Sequence, residues 1–347
     1  MSSSSVQTVK RSPSWLLWLC LLACLQLSCV SARRTPVSNY PIDGPNLELL
    51  RLGDTLFESD QLEEAAQMYA RAVNANGPNH AHVEACAQLG HITFQLGDLR
   101  EAKIWLDLGA RRATEEDPLG WSRLQHVTGI LERHRGRTED AVKRFKDLFT
   151  YCMNTSLYRR ALAAAQEVVV TSEDPQVQIV WANKGIDAAE AGGLFAWLGQ
   201  TWSRKGVALH KAGRLAEASV AFQAAKDYFS EAGETNQEFL AAWELARVLR
   251  ERGDLTGAWN LAGSNLSAAQ AMYEMEPSAL HARWMGYCLW EVAELKALDG
   301  EQATALAGMR TVRAKFKEAG FENGGAFACA ELERLDGRMA VIGAGSE

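Results

Sequence analysis

"LGDLREA", Leu96–Ala102, decides how this chain is read. Five other stretches repeat it in looser form: "SDQLEEA" (Ser59–Ala65), "RGRTEDA" (Arg135–Ala141), "AGRLAEA" (Ala212–Ala218), "RGDLTGA" (Arg252–Ala258) and "DGEQATA" (Asp299–Ala305). The pattern has the chemistry of a corner between two helices. The glycine accepts the left-handed backbone that closes the first helix, the aspartate caps the second, and the final alanine leaves room for a neighbour. Charged residues beside the alanines, such as Glu63, Glu64, Arg100 and Glu101, form a solvated face.

Aligned on those alanines, the copies are spaced by 37, 39, 77, 40 and 47 residues. The step of 77 spans two periods, so one copy has lost its signature between Ala141 and Ala218. That unit is the one expected to break the regularity of the array. A fixed period of this size builds a solenoid. Twelve residues before each alanine stands a small residue: Gly53, Gly90, Gly129, Gly206, Ala246 or Ala293. Four residues after it come Tyr69, Leu106, Phe145, Phe222, Ala262 and Met309. In paired helices the small residue and the alanine let the two axes approach. The residue one turn later is expected to fill the space between neighbouring pairs.

On these residues the sequence resembles the tetratricopeptide repeat family in a long-period form. The matching stretches are "LGDTLFESDQLEEAAQMYARAV" (Leu52–Val73), "LGHITFQLGDLREAKIWLDLGARRA" (Leu89–Ala113) and "WSRKGVALHKAGRLAEASVAFQAA" (Trp202–Ala225). The third fits best, through Trp202, Gly206, Gly213, Ala218, Phe222 and Ala225. The likeness runs roughly from Asn46 to Ala319. Its periods exceed the family's usual 34. The fourth unit, Ser156–Gly193, is helix–turn–helix in pattern only, with Asp174-Pro175 as a helix start, and a long insertion precedes the last unit. The resemblance implies an all-α, right-handed α-solenoid of about seven stacked antiparallel helix pairs over residues 46–322. A C-terminal capping helix and tail follow over 323–347, read as one long helix or a pair.

The bulk numbers agree. Of 347 residues, 47% are hydrophobic and 23% charged, with 8 prolines, which suits a folded helical protein. The charge is unevenly placed. Residues 1–34 hold Lys10, Arg11, Arg33 and Arg34 and no acid, which leaves the remainder at −11 against the chain's −7. Nucleic acid needs a basic stripe, so it is excluded as the main partner. Within residues 1–32 lies "WLLWLCLLACLQL", Trp15–Leu27, preceded by Lys10 and Arg11. A basic start and a short apolar run mark a secretory signal or membrane-targeting segment, and 13 apolar residues fall short of the roughly 20 a bilayer needs. Three fates stay open: cleavage after Val30-Ser31-Ala32, lipidation of Cys24 in "LLAC" (Leu21–Cys24), or retention as an anchor or organelle-targeting segment. Residues 33–45 read as a linker. The expected location is outside the cytoplasm: periplasmic, membrane-anchored and facing outward, or secreted.

No HExxH, GxSxG or phosphate-binding GxxxxGK[ST] occurs, and no cysteine pair has metal-ligand spacing, so the chain is read as no enzyme, with no cofactor and no metal. Cys86, Cys152, Cys288 and Cys329 read as small apolar residues. Asn154-Thr155-Ser156 and Asn265-Leu266-Ser267 match the glycosylation acceptor, a pattern common by chance. In the family resembled, the first helix of each unit lines a concave groove that binds partners. The candidates carried over are Arg123, His126, Ile130 and Arg133; Ser203, Val207 and His210; Trp243, Arg247 and Arg250; and Tyr287, Trp290 and Glu294. Aromatic and arginine neighbours of this kind make binding hot spots, although tryptophans in a helical array are mostly packing residues. Some family members clamp a terminal carboxylate with Lys and Asn. Here His91, Ile130, Val207, Arg247 and Glu294 stand at those places, so that clamp is absent. The expected function is a non-catalytic scaffold that holds a protein or peptide partner. A membrane tether through the N-terminus and homo-oligomerisation both stay open. The alternative is a periplasmic accessory subunit that binds carbohydrate or self-assembles.

Overall fold

The computed structural model describes residues 44–323 and 326–344. The expectations for the leader, including Cys24, and for residues 33–43 of the linker lie outside the described residues. Among the described residues there are fifteen α-helices and no strand, and consecutive helices pack as antiparallel pairs. The pairs are α1 (Pro45–Glu58) with α2 (Leu62–Asn74), α3 (Asn79–Gln95) with α4 (Leu99–Ala110), and α5 (Pro118–His134) with α6 (Thr138–Asn154). Next come α7 (Tyr158–Thr171) with α8 (Pro175–Gly192), and α9 (Leu198–Lys211) with α10 (Leu215–Glu231). Then follow α11 (Thr235–Glu251) with α12 (Leu255–Met275), and α13 (Ala279–Leu298) with α14 (Gln302–Glu318). A single helix, α15 (Ala326–Ala344), closes the array. The insertion expected before the last unit is helix, not loop: α12 and α13 are 21 and 20 residues long.

Leu96–Ala102 forms the corner its letters require. Gly97 has φ +90°. The Asp98 backbone N–H donates to the Thr93 carbonyl at 2.8 Å, closing α3. The Asp98 carboxylate then accepts from the Arg100 and Glu101 N–H groups at 3.0 and 2.8 Å, opening α4. Asp254 caps α12 in the same way through the Gly257 N–H at 3.0 Å.

The small–large pairing is equally literal. All six aligned alanines are fully buried. A Cβ placed on Gly53, Gly129 or Gly206 would stand 2.6, 2.5 and 2.8 Å from a ring carbon of Tyr69, Phe145 and Phe222 respectively. The large residue therefore lies on the glycine of its own helix pair rather than between pairs. The core is a string of such clusters along the array, as nearest-neighbour stacking demands.

Regularity breaks at two places, and one of them is the unit that has lost its signature. The α7–α8 pair packs within itself as the others do, with Asp174 accepting from the Gln176 N–H at 2.8 Å to start α8, but α7 makes no comparable contact with α9 and the 3-10 turn Phe195–Trp197 intervenes. The other irregular step is between α4 and α5, because α5 lies mainly on α3. Gly120 permits this: a Cβ there would sit 2.9 Å from the Val83 Cβ and 3.2 Å from the His80 Cα. Helix α3 is enclosed as a result. Every residue from His80 to Gly90 is buried, polar ones included.

Along most of the array each odd-numbered helix touches the next odd-numbered one, and the even-numbered helices do not make comparable contacts with each other. The odd-numbered helices thus form the inner wall of the curve, and the side chains they turn inward line its groove.

Candidate functional site: two cavities on the inner wall

The inner wall holds two cavities of different character. The first, about 870 Å³, is lined by α1, α3, α5 and α7 together with the turn that follows α8. Its apolar lining comprises Phe57, Leu157, Leu162, Leu194 and Trp197. Asp54, Gln88, His91, Arg123, His126 and Arg160 supply polar groups among them, with Phe57 lying against His91. This mixture and size are those of a ligand-binding cleft.

Its charges are unevenly satisfied. Glu84, buried on α3, accepts a hydrogen bond from Arg160 of α7. Arg160 also donates to the Leu119 carbonyl and, at 2.6 Å, to the Ser122 hydroxyl. Arg123 of α5 reaches the same Glu84 only at 3.6 Å, and its Nε is buried without a hydrogen-bond partner. Asp54 accepts from the Tyr69 hydroxyl at 2.7 Å and from Gln88 at 3.2 Å. Burial, and then the Arg123 cation, hold His91 down at about 4. Burial and the fields of Arg123, His91, Arg160 and Arg133 hold His126 down at about 3. Both imidazoles are therefore neutral at physiological pH. Behind His126, Glu167 of α7 pairs with Arg133.

The second cavity, about 420 Å³, lies between α9, α11, α13 and α15. Here most cations lie on a carboxylate, with the Arg247 Nε and Glu244 Oε2 buried without a hydrogen-bond partner. Arg250 donates to Glu291 at 2.6 Å and Arg338 to Glu294 at 2.5 Å. His210 meets Glu251 at 2.6 Å, and Arg247 pairs with Glu244 at 2.9 Å. The aromatic side chains are packed: Trp243, Tyr287 and Trp290 are 8%, 4% and 5% exposed. Trp243 lies against Tyr287, Tyr287 against Phe316, and the Arg247 and Arg334 guanidiniums cover the Trp243 and Trp290 rings. Burial pushes the Glu291 carboxyl up in spite of Arg250.

Of the residues singled out in the sequence, His210, Trp243, Arg247, Arg250, Trp290 and Glu294 come together in the second cavity. Arg123 and His126 line the first. Arg133 reaches it indirectly through Glu167, Ile130 and Tyr287 are buried, and Ser203 and Val207 are half-buried outside both cavities. Sequence reasoning missed Asp54, Gln88, Arg160 and Trp197. A signal for the pairing was nonetheless present. Arg133 and Glu167 are 34 residues apart, His210 and Glu251 are 41, Arg250 and Glu291 are 41, and Glu294 and Arg338 are 44. Opposite charges about one period apart on successive inner helices face each other. Among the described residues no group of three or more His, Cys, Asp or Glu is placed to hold a metal, and no helix is long and apolar enough to cross a membrane.

Comparison with known proteins agrees with this architecture. The tetratricopeptide repeat family matches residues 83–113, the α3–α4 pair that contains "LGDLREA". No curated protein matches the chain. Among solved structures, the fold is similar to a signal transduction ATPase with numerous domains from Pyrococcus horikoshii that carries a tetratricopeptide repeat sensor. The TM-score is 0.68 at 12% identity, over 85% of this chain and 44% of that one. This chain thus spans less than half the length of that protein. It is also similar to the apo form of RapI, with TM-score 0.61 and 11% identity over 79% of this chain and 77% of that one. A third likeness is to BtubC from P. vanneervenii, with TM-score 0.50 and 14% identity over 68% of this chain and 95% of that one. At such identities the likeness establishes the shared fold: stacked helix pairs in an α-solenoid.

Proposed function

We propose that this chain is a non-catalytic scaffold that holds a protein or peptide partner in the N-terminal part of its inner groove, outside the cytoplasm. The observation that carries the reading is the first cavity. It is about twice the size of the second cavity and lined by both apolar and polar side chains, whereas the ion pairs of the second cavity are made within its own lining. The Pyrococcus protein, whose repeat array is a sensor, supports a recognition role for such a wall. The carbohydrate alternative calls for several exposed rings on one inner face, and Trp243, Tyr287 and Trp290 are buried. Placement outside the cytoplasm rests on the apolar run Trp15–Leu27 behind Lys10 and Arg11.

The test is selection of peptides from a displayed random library. Ala163, which lines the first cavity, is replaced by Trp to fill it. Selection is expected from the native chain and lost in Ala163→Trp, while Val220→Trp on exposed surface of α10 keeps it. Equal selection by all three would remove the groove from the proposal. The mass of the mature N-terminus in cells tests the leader: a start near Arg33 marks simple cleavage, and a lipid on Cys24 marks tethering.

A further inference from the structure

The ion pairs of the inner wall follow a rule, and one place breaks it. Arg133, Arg250 and Glu294 each face an oppositely charged side chain about one period further along, and His210 faces Glu251 in the same register. The residue one period after Arg123 is Arg160, a like charge. One period before it stands Glu84, and that carboxylate is already hydrogen-bonded to Arg160. Two guanidiniums therefore share one carboxylate, and Arg123 holds the weaker claim at 3.6 Å. Neighbouring His91 and His126 are neutral and supply no counter-charge. Asp54 accepts from two neutral donors and makes no ion pair within 4 Å among the described residues. It keeps the α1 end of the cavity acidic and leaves the α5–α7 end short of one negative charge.

Resting on the groove reading above, we infer that the first cavity recognises an acidic peptide segment of a partner protein. An Asp or Glu side chain would pair with Arg123, with an adjacent apolar residue against Leu157, Leu162, Leu194 and Trp197. Charge complementarity selects the acid, since a ligand carboxylate completes the alternation that the rest of the wall already shows. Position favours a side chain over a chain end. The cavity is built from four successive inner helices, and Arg123 stands on the third of them with wall on both sides. At 8–10 Å between packed helices and about 3.3 Å per extended residue, such a wall takes a segment passing through it. A guanidinium in a half-buried site presents a fork that matches a carboxylate in two parallel hydrogen bonds.

The experiment uses the full-length chain and three fluorescent probe peptides in a Gly/Ser frame. All are N-acetylated. One displays Leu-Glu-Leu and ends in an amide, one displays Leu-Gln-Leu and ends in an amide, and one displays Leu-Gln-Leu with a free C-terminus. The Glu peptide is expected to bind about tenfold more tightly than either Gln peptide. In Arg123→Gln the preference collapses to within about twofold, whereas Arg313→Gln, on an exposed outer pair with Asp336, keeps it. Matching far-UV circular dichroism of the variants shows that the fold is intact. Equal binding of Glu and Gln peptides, or an undiminished preference in Arg123→Gln, overturns the inference while leaving groove binding standing. So does tight binding of the free-C-terminus peptide, which would make the site a chain-end site. Glutarate alone competing as well as the Glu peptide makes it a small-anion site. A dimer dispersed by Arg123→Gln makes the occupant a second copy. Each of these outcomes rejects the acidic partner segment. Loss of all peptide binding in Ala163→Trp, tested separately, decides the groove reading itself.

Discussion

The two ends of the inner wall are made of the same parts and differ in how those parts are matched. From α9 to α15, the cations lining the second cavity lie on carboxylates of the same wall, and the aromatic rings are buried beneath them. From α1 to α7, two histidines are held neutral, Arg123 stands 3.6 Å from a carboxylate already hydrogen-bonded to Arg160, and a cavity about twice as large stands open. One half spends its polar groups on cohesion and the other leaves a charge for something else. In a solenoid, where each unit answers only to its neighbours, the two tasks can sit side by side without interference.

The strongest break of this contrast is at the cohesive end. Glu291→Ala leaves Arg250 partly buried with its main carboxylate gone; the two side chains are 3% and 16% exposed. Removing one partner of a buried pair costs about 3–5 kcal/mol. Urea unfolding should show a loss of that size, while the Glu probe peptide binds Glu291→Ala as it binds the native chain. A loss below about 1 kcal/mol would mean that the ion pairs of the second cavity are no more cohesive than surface ones.

Acid should next weaken the N-terminal half more than the other. His91 and His126 have folded pKa values depressed from 6.5 to about 4 and about 3. The unfolded chain therefore binds their protons first as pH falls below 6.5, and stability drops by about 1.4 kcal/mol per pH unit for each histidine down to about pH 4. At the other end, burial raises Glu244 and Glu291 above 4.5. For those two groups the folded state takes up protons before the unfolded one, which adds stability as pH falls just above 4.5. Glu251 and Glu294 of the same end, held below 4.5 by His210 and, in spite of burial, by Arg338, subtract it, so the contributions offset. Hydrogen exchange between pH 6.5 and 4.5 should show protection falling in α3, α5 and α7 and holding in α11 and α13. Uniform loss along the array would contradict the contrast.

What the two ends share was legible in the sequence, and what separates them was not. The corner at Gly97-Asp98 and the contacts of Gly53 with Tyr69, Gly129 with Phe145 and Gly206 with Phe222 follow from local letters and one fixed offset. The shift of α5 onto α3 depends on Gly120 meeting Val83 across a connection that carries no signature. The cavity depends on Arg160 reaching Glu84 from 76 residues away, within the one unit whose repeat letters are missing. Aromatic residues on the inner helices drew attention to the second cavity, yet burial turned them into packing. The charges that decide the matter declare themselves only when compared one period apart.

If the corners are common equipment, removing their caps should cost the same at either end. Asp98→Ala and Asp254→Ala each delete a carboxylate that accepts from backbone N–H groups at a helix start. Each should lower stability by about 1 kcal/mol, read as equal shifts in the urea midpoint. A gap of more than about 1 kcal/mol between them would show that the halves differ in their framework as well as in their groove.

The smallest expected effect is the sharpest. Arg123→Gln and Arg250→Gln are the same chemical change on the same wall. Arg250 is hydrogen-bonded to a carboxylate that is 3% exposed, so its loss strands Glu291 and should cost about 3 kcal/mol or more. Arg123 makes no side-chain hydrogen bond among the described residues, stands beside the like charge of Arg160, and depresses two histidines. Removing it relieves repulsion about as much as it loses attraction to Glu84, so stability should stay within about 0.5 kcal/mol of the native chain. The histidines should titrate closer to 6.5 by NMR in the same variant, because their second-largest cause of depression is gone. If Arg123→Gln instead costs as much as Arg250→Gln, Arg123 is a structural ion, the two ends of the wall are alike, and the open charge on which recognition was argued does not exist.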